Sequence, residues 1–178
     1  VFSADAVQKG LSLLKDKDGE DIASSIVNLV DDPHLKNGLA SVGFDDEGVA
    51  TRKTYLIKDG KLDSFLHNLK TANKAGVKST GNGFKNSYAS PISVSPTNFY
   101  FEPGNKEFDE LVSTIDEGII ITDLAGLHSG ANAITGDFSL AAKGFFINNG
   151  KKDFPIEQIT VSGNFFKLLN DIEEIGSD

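Results

Sequence analysis

The side chains best equipped for chemistry gather in residues 126–139. There Gly126, Gly130 and Gly136 are interspersed with His128, Ser129, Asn132, Thr135, Asp137 and Ser139. An imidazole, hydroxyls, an amide and a carboxylate supply the donors and acceptors that hold a polar ligand or a peptide backbone. The glycines permit positive φ or close backbone approach. Apolar runs, Gly118–Ile121 and Leu140–Ala142, flank the stretch. Polar groups held against a rigid sheet are a usual location of binding. The plainer alternative is a glycine-rich crossing between two strands. A second polar stretch, Ser79-Thr80-Gly81-Asn82-Gly83, lies upstream. The candidate binding residues, for a peptide or an interface, are Thr80, Gly81, His128, Ser129, Asn132, Thr135, Gly136 and Asp137.

No self-contained catalytic motif accompanies them. The three histidines, His34, His67 and His128, form no HExxH or related metal pair. A zinc site would need three or four ligands from these and scattered carboxylates. Asp16-Lys17-Asp18-Gly19 hints at a calcium loop, but that register puts Leu14 and Ser25 where carboxylates are required. Asp45-Asp46-Glu47 reads as a solvated turn. In Gly126-Leu127-His128-Ser129-Gly130 the serine is displaced by one position from a nucleophile elbow. Residues 79–83 lack the length and the lysine of a phosphate loop. No catalytic residue and no metal ligand is assigned. The residue pattern favours a binding or assembly module over a complete enzyme.

Composition narrows the classes further. The chain has 178 residues, 39% hydrophobic and 24% charged, enough to bury a core without staples. Cysteine is absent, which excludes disulfides, a thiolate nucleophile and cysteine-held zinc, and fits a reducing compartment such as the cytoplasm. The net charge of −9, with Arg52 as the single arginine, argues against direct nucleic-acid binding. No apolar run approaches a membrane span. The chain starts at Val1 without methionine and reads as one domain, 1–178, from a longer protein.

The elements around the polar stretches follow from pattern and punctuation. Asp59-Gly60 and Asn149-Gly150 predict two-residue hairpin turns, since both central positions of such turns need positive φ. Strands are expected at 25–30, 97–102, 119–122 (buried), 138–147 and 159–161. His34 falls on a turn after Pro33, and His67 at a strand end. A short helix is expected within 1–15, and another over Thr71–Ala75, stopped by Gly76. Phe108, Leu111, Val112 and Ile115 have helical spacing, with Gly118 as the stop. Asn164 caps a last helix carrying Phe165, Leu168, Leu169 and Ile172. Strands do not alternate strictly with helices. The expectation is α+β, β-rich, with a mostly antiparallel or barrel-like sheet and a few short helices.

Segments spread along the chain resemble the TldD/PmbA family, once described as modulators of DNA gyrase and classed as metallopeptidases. They include Asp31-Asp32-Pro33, Phe44–Gly48, Leu56–Gly60, Thr71-Ala72, Ser79–Gly83 and Thr97–Gly104. They continue through Gly118–Asp123, His128–Asn132, Thr135–Ser139 and Ile159–Asn164. The chain is similar to the C-terminal domain of the PmbA (TldE) branch. The resemblance implies a separate N-terminal domain outside this chain. It also implies a bacterial-type, cytoplasmic heterodimer with a TldD-type subunit, which would carry the zinc and cleave peptides. This chain lacks the HExxxH helix and the cysteine of that subunit, so it is expected to bind no cofactor and to be inactive alone. By analogy, Thr135-Gly136-Asp137-Phe138 shapes the sheet lining a peptide-holding cavity. A stand-alone hydrolase built on His128, Ser129 or Asp137 remains an alternative, as does a gyrase regulator acting through protein contacts.

Overall fold

The computed structural model describes residues 1–178. They form two compact units, Val1–Glu102 and Pro103–Asp178. Unit 1 opens with helix α1 (Ala4–Gln8), followed by strands β1 (Leu29–Asp31), β2 (Thr54–Lys58) and β3 (Lys61–Leu62). Helix α2 (Leu69–Ala75) and strands β4 (Gly83–Phe84), β5 (Ser93–Val94) and β6 (Phe99–Phe101) complete it. An antiparallel sheet runs β3-β2-β1-β6, and β4 pairs with β5 apart from it. All of β1 is buried, and Val30, Leu56 and Ile57 are fully inaccessible to solvent, so the core of unit 1 lies on this sheet. Burial of branched aliphatic side chains on a pleated surface stabilises it by about 2 kcal/mol per side chain.

Unit 2 consists of helix α3 (Phe108–Ser113), strand β7 (Glu117–Ala125), the single turn α4 (Leu127–Gly130), strands β8 (Asp137–Asn148) and β9 (Lys151–Asn164), and helix α5 (Phe165–Asn170). Its sheet is antiparallel in the order β7-β8-β9. The fold is therefore α+β and dominated by antiparallel sheet. Its sheets are open, and none closes into a barrel.

Both hairpin turns form as the dipeptides require. Asp59 and Gly60 join β2 to β3 with φ of 50° and 78°, and Asn149 and Gly150 join β8 to β9 with 49° and 71°. Gly76 ends α2 in the left-handed region, and the side chain of Asn68 caps its start. Elsewhere the elements depart from expectation. Strand β1 covers only Leu29–Asp31, because Ser24–Val27 is a turn closed by the Val27 N–H on the Ser24 carbonyl. Helix α3 stops at Ser113, before Gly118. The hydroxyls of Ser113 and Thr114 donate to the carbonyls of Glu110 and Leu111, which satisfies its last turn. Gly118 instead sits in β7, paired with Ile147. The short strand expected at 159–161 is part of the fourteen-residue β9. The buried strand expected at 119–122 is in fact an outer strand, with Ile119 48% and Ile121 37% exposed.

Candidate functional site

The 126–139 segment is a knot tied by its own polar groups. Gly126, at φ 87°, turns the chain out of β7 into α4, where the Gly130 N–H returns to the Gly126 carbonyl at 2.7 Å. Asn132 then organises a tight loop. Its N–H donates to the Asp137 carbonyl at 2.8 Å, and its side-chain oxygen accepts the N–H groups of Ile134 and Thr135. The Gly136 N–H closes on the Asn132 carbonyl at 2.8 Å. A second asparagine clasps the loop from β9. The Asn164 amide donates to the Thr135 carbonyl at 2.9 Å and to the Asp137 carboxylate at 2.8 Å. Its oxygen accepts the Phe166 N–H and so caps α5. The Asn164 amide, and after it the Thr135 hydroxyl, holds the Asp137 carboxyl below its ordinary value. Asn164 was legible in the sequence only as a helix cap; its grip on the loop depends on a strand pairing that local pattern does not reveal.

Of the sequence candidates, Asn132, Thr135, Gly136 and Asp137 are thus brought together. His128 and Ser129 sit beside them on α4, exposed. The Ser129 hydroxyl points at the Gly126 carbonyl at 3.4 Å, and Asp137 is engaged by Asn164. No hydrogen bond links His128, Ser129 and Asp137, so the geometry supplies no base to a nucleophile.

Beyond the knot the sheet carries a hollow of about 420 Å³, lined by Asp123, Ala125, Ala141, Lys143, Glu157 and Gln158 among others. Two irregularities meet there. The β7–β8 register shifts between Ile121 and Asp123, and the β8–β9 register shifts between Ala142 and Gly144. Gln158 adopts φ 58° opposite the second shift. Such bulges bend a strand and re-aim its side chains. Lys143 pairs with Asp123 at 3.0 Å across the floor and lowers the Asp123 pKa.

Thr80 and Gly81 have a different setting, inside unit 1. Thr80 is 2% exposed, with its hydroxyl 2.6 Å from the Asn82 side-chain oxygen and accepting the His67 N–H at 2.7 Å. The Asn82 amide donates to Asp31 at 2.7 Å and to the Ser95 carbonyl at 3.1 Å. Asp31 also accepts the N–H and hydroxyl of Thr97. Burial pushes the Asp31 carboxyl up, against the opposing pull of Asn82 and Thr97. Gly81, at φ 77°, lies against the Thr51 backbone, too close for a side chain. His67 is buried in the connection between Leu66 and α2 rather than on a strand, and its Nδ1 lacks a partner. The turn Asp45-Asp46-Glu47 spends its carboxylates on backbone N–H groups. Asp45 takes those of Glu47, Val49 and Gly83, Asp46 that of Lys85, and Glu47 that of Leu69.

The profile of the PmbA/TldA metallopeptidase C-terminal domain matches residues 1–178. The chain belongs to the TldD/PmbA family. It is 34% identical to the metalloprotease PmbA of Escherichia coli O157:H7, covering 100% of this chain and 37% of that protein. Among solved structures it resembles a Thermotoga maritima protein described as a modulator of a DNA gyrase, with a TM-score of 0.92 and 46% identity. That match covers 99% of this chain and 40% of the other. TldE from Thermococcus kodakarensis also matches with a TM-score of 0.92, at 30% identity over 99% of this chain and 40% of that one. The chain thus spans about two-fifths of the length of these relatives.

Within this TldD/PmbA domain no three His, Cys, Asp or Glu side chains gather into a group able to hold a metal ion. No helix is long and apolar enough to cross a membrane.

Proposed function

We propose that this domain is the C-terminal part of a PmbA (TldE)-type subunit that pairs with a zinc-bearing TldD-type subunit in a cytoplasmic peptide-processing complex. In this reading it contributes a wall of the substrate chamber and a partner interface, and no catalytic group. The observation that carries it is the knotted loop on an open sheet. Asn132, Thr135, Gly136 and Asp137 are fixed by hydrogen bonds at one end of β8, with His128 and Ser129 exposed beside them. A rigid polar rim beside exposed strands suits capture of an extended peptide, which needs backbone partners more than reactive side chains. Thr80 and Gly81 belong to the scaffold of unit 1 in this reading. A gyrase-regulating role would act through protein contacts, since the acidic balance opposes DNA.

The test is co-expression of the full-length protein with a TldD-type subunit. The two are expected to co-elute and to cleave peptide together, with the zinc in the partner. The full-length protein alone should contain no stoichiometric zinc by metal analysis and cleave nothing. About one zinc per chain together with chelator-sensitive cleavage by this protein alone would overturn the reading.

A further inference from the structure

The two outer strands of the unit 2 sheet are guarded unequally. β9 carries Lys151, Lys152, Pro155 and the left-handed Gln158. Lysine, proline and bulges are the devices by which an outer strand rejects added chains. β7 has none of them over Glu117–Ile121, and its register shift lies further on, past Ile121. Three successive isoleucines without Pro or Lys form the kind of edge that accepts another strand. β7 pairs on one side only, with β8. Ile119 and Ile121 are exposed on the face they share with Phe146 and Gly144. Asp123 pairs with Lys143, the neighbour of Gly144, and so lies on the opposite face, where Glu157 also borders the hollow.

Charge selects the occupant. Residues 103–178 contain five lysines, no arginine and thirteen Asp and Glu. Asp116 and Glu117 stand at the start of β7, and Asp123 follows the isoleucines. A second copy of β7, or an acidic segment, would bring like charges together across a new ladder, which is destabilising. A cationic segment is drawn in.

We propose that the free edge of β7, Glu117–Ile121, accepts as a fourth strand an extended peptide that alternates apolar and cationic side chains. Its apolar side chains lie beside Ile119 and Ile121, and its cationic ones fall on the opposite face and at its ends, drawn by Asp116, Glu117 and the Asp123 that lies past the bulge beside Lys143. This rests on the peptide-holding reading above and adds to it the edge and the charge of the substrate.

The experiment titrates the full-length protein into a fluorescein-labelled, acetylated and amidated Lys-Val-Lys-Val-Lys-Val-Lys peptide, read by anisotropy. Saturable binding is expected. It should weaken at least tenfold in the Ile119→Lys/Ile121→Lys variant. It should weaken as much when alternate peptide amides are N-methylated, and vanish when Glu replaces Lys. The N-methyl arm needs no protein variant, so misfolding cannot mimic the result. Equal binding of the N-methylated peptide, or no saturable binding, overturns the proposal. So does self-association in sedimentation that Ile119→Lys/Ile121→Lys removes, which gives the edge to a second copy. Co-elution with the TldD-type subunit is scored separately. Peptide bound through β7 without a complex supports the edge assignment and overturns the subunit reading. A complex that binds no peptide does the reverse.

Discussion

The two units solve opposite problems. All eleven buried polar or charged residues, from Ser12 to Asn82, belong to unit 1, as do fourteen of the nineteen buried hydrophobic ones. Unit 1 is also nearly charge-balanced, with twelve basic and thirteen acidic residues. Unit 2 buries only Val112, Leu140, Ala142, Ile147 and Leu169 among its apolar side chains, and it carries most of the net charge. A unit that sinks its polar groups into a hydrogen-bonded network, with the His67 Nδ1 as its unpartnered atom, is built as a scaffold, because such networks specify one arrangement. A thin sheet instead leaves isoleucines and carboxylates outside, the kind of exposed patch through which proteins make contacts. The two glycine-rich polar stretches look alike in sequence, yet one is buried in unit 1 and the other is largely exposed on unit 2.

The comparison breaks most visibly at Asn82. Its amide holds Asp31 and its oxygen meets Thr80, so Asn82→Ala leaves the buried Asp31 carboxylate with Thr97 alone and takes one partner from the buried Thr80 hydroxyl. The expected loss is about 3 kcal/mol. All three tyrosines, Tyr55, Tyr88 and Tyr100, lie in unit 1, so tyrosine fluorescence during urea unfolding reads that unit. A midpoint unchanged from the parent protein would show that the network is ornamental.

The equivalent blow to unit 2 is Gly136→Val. The position has φ 81°, and a Cβ there would lie 2.7 Å from the Phe166 ring. A β-branched residue in the left-handed region costs about 1–3 kcal/mol before that clash. Amide exchange at the start of β8 and of α5 should accelerate, since the Phe165 N–H bonds the Gly136 carbonyl. Gly130 differs. It needs no positive φ, and Gly130→Val is expected to fail because a Cβ would press on the Ser139 carbonyl.

What the sequence disclosed divides along the same line. Features set by neighbouring residues were legible: the Asp59-Gly60 and Asn149-Gly150 turns, the Asn164 cap and the Gly76 stop. Features set by distant partners were not. Ile119–Ile121 looks like a core strand because burial cannot be read from apolarity when no element covers one side. Ser79–Gly83 looks like a ligand loop because its partners, Asp31 and His67, come from elsewhere in the chain. The knot at 131–138 lies between, since Asn132 and Thr135 are local but Asn164 is not.

A smaller effect separates the units by pH. Burial holds the His67 pKa below its ordinary value; the Thr71 backbone opposes this, Arg52 adds to it, and Asp18 pulls it up. The unfolded chain therefore takes up a proton near pH ~6.5 that folded unit 1 resists. Stability is full above that pH and falls as pH drops through it, by at most about 1.4 kcal/mol per pH unit. The raised Asp31 carboxyl acts with the opposite sign at lower pH. Its contribution is present below ~3.9 and is lost as pH rises through the folded value. Between pH 7.5 and 5.5 the tyrosine-detected midpoint should fall, and His67→Gln should flatten that fall. An unaltered slope in the variant would assign the acid sensitivity elsewhere.

The mildest change tests the purpose of unit 2 rather than its stability. Asp137 is exposed, and its carboxylate accepts one bond from Asn164. Asn164 keeps its bonds to the Thr135 carbonyl and the Phe166 N–H without that carboxylate. Asp137→Asn should therefore leave thermal unfolding close to the parent while removing one negative charge from the rim of the loop. If the rim grips the peptide, processing by the reconstituted complex should slow through a higher KM, with the complex still co-eluting. Asn164→Ala is the control in the other direction. It removes the clasp from β9 onto Thr135 and Asp137 and a helix cap worth about 1 kcal/mol, and should lower stability and processing together. Equal processing by the parent and Asp137→Asn complexes would leave the knot as structural bracing, and the working surface would then be the open strand of β7 alone.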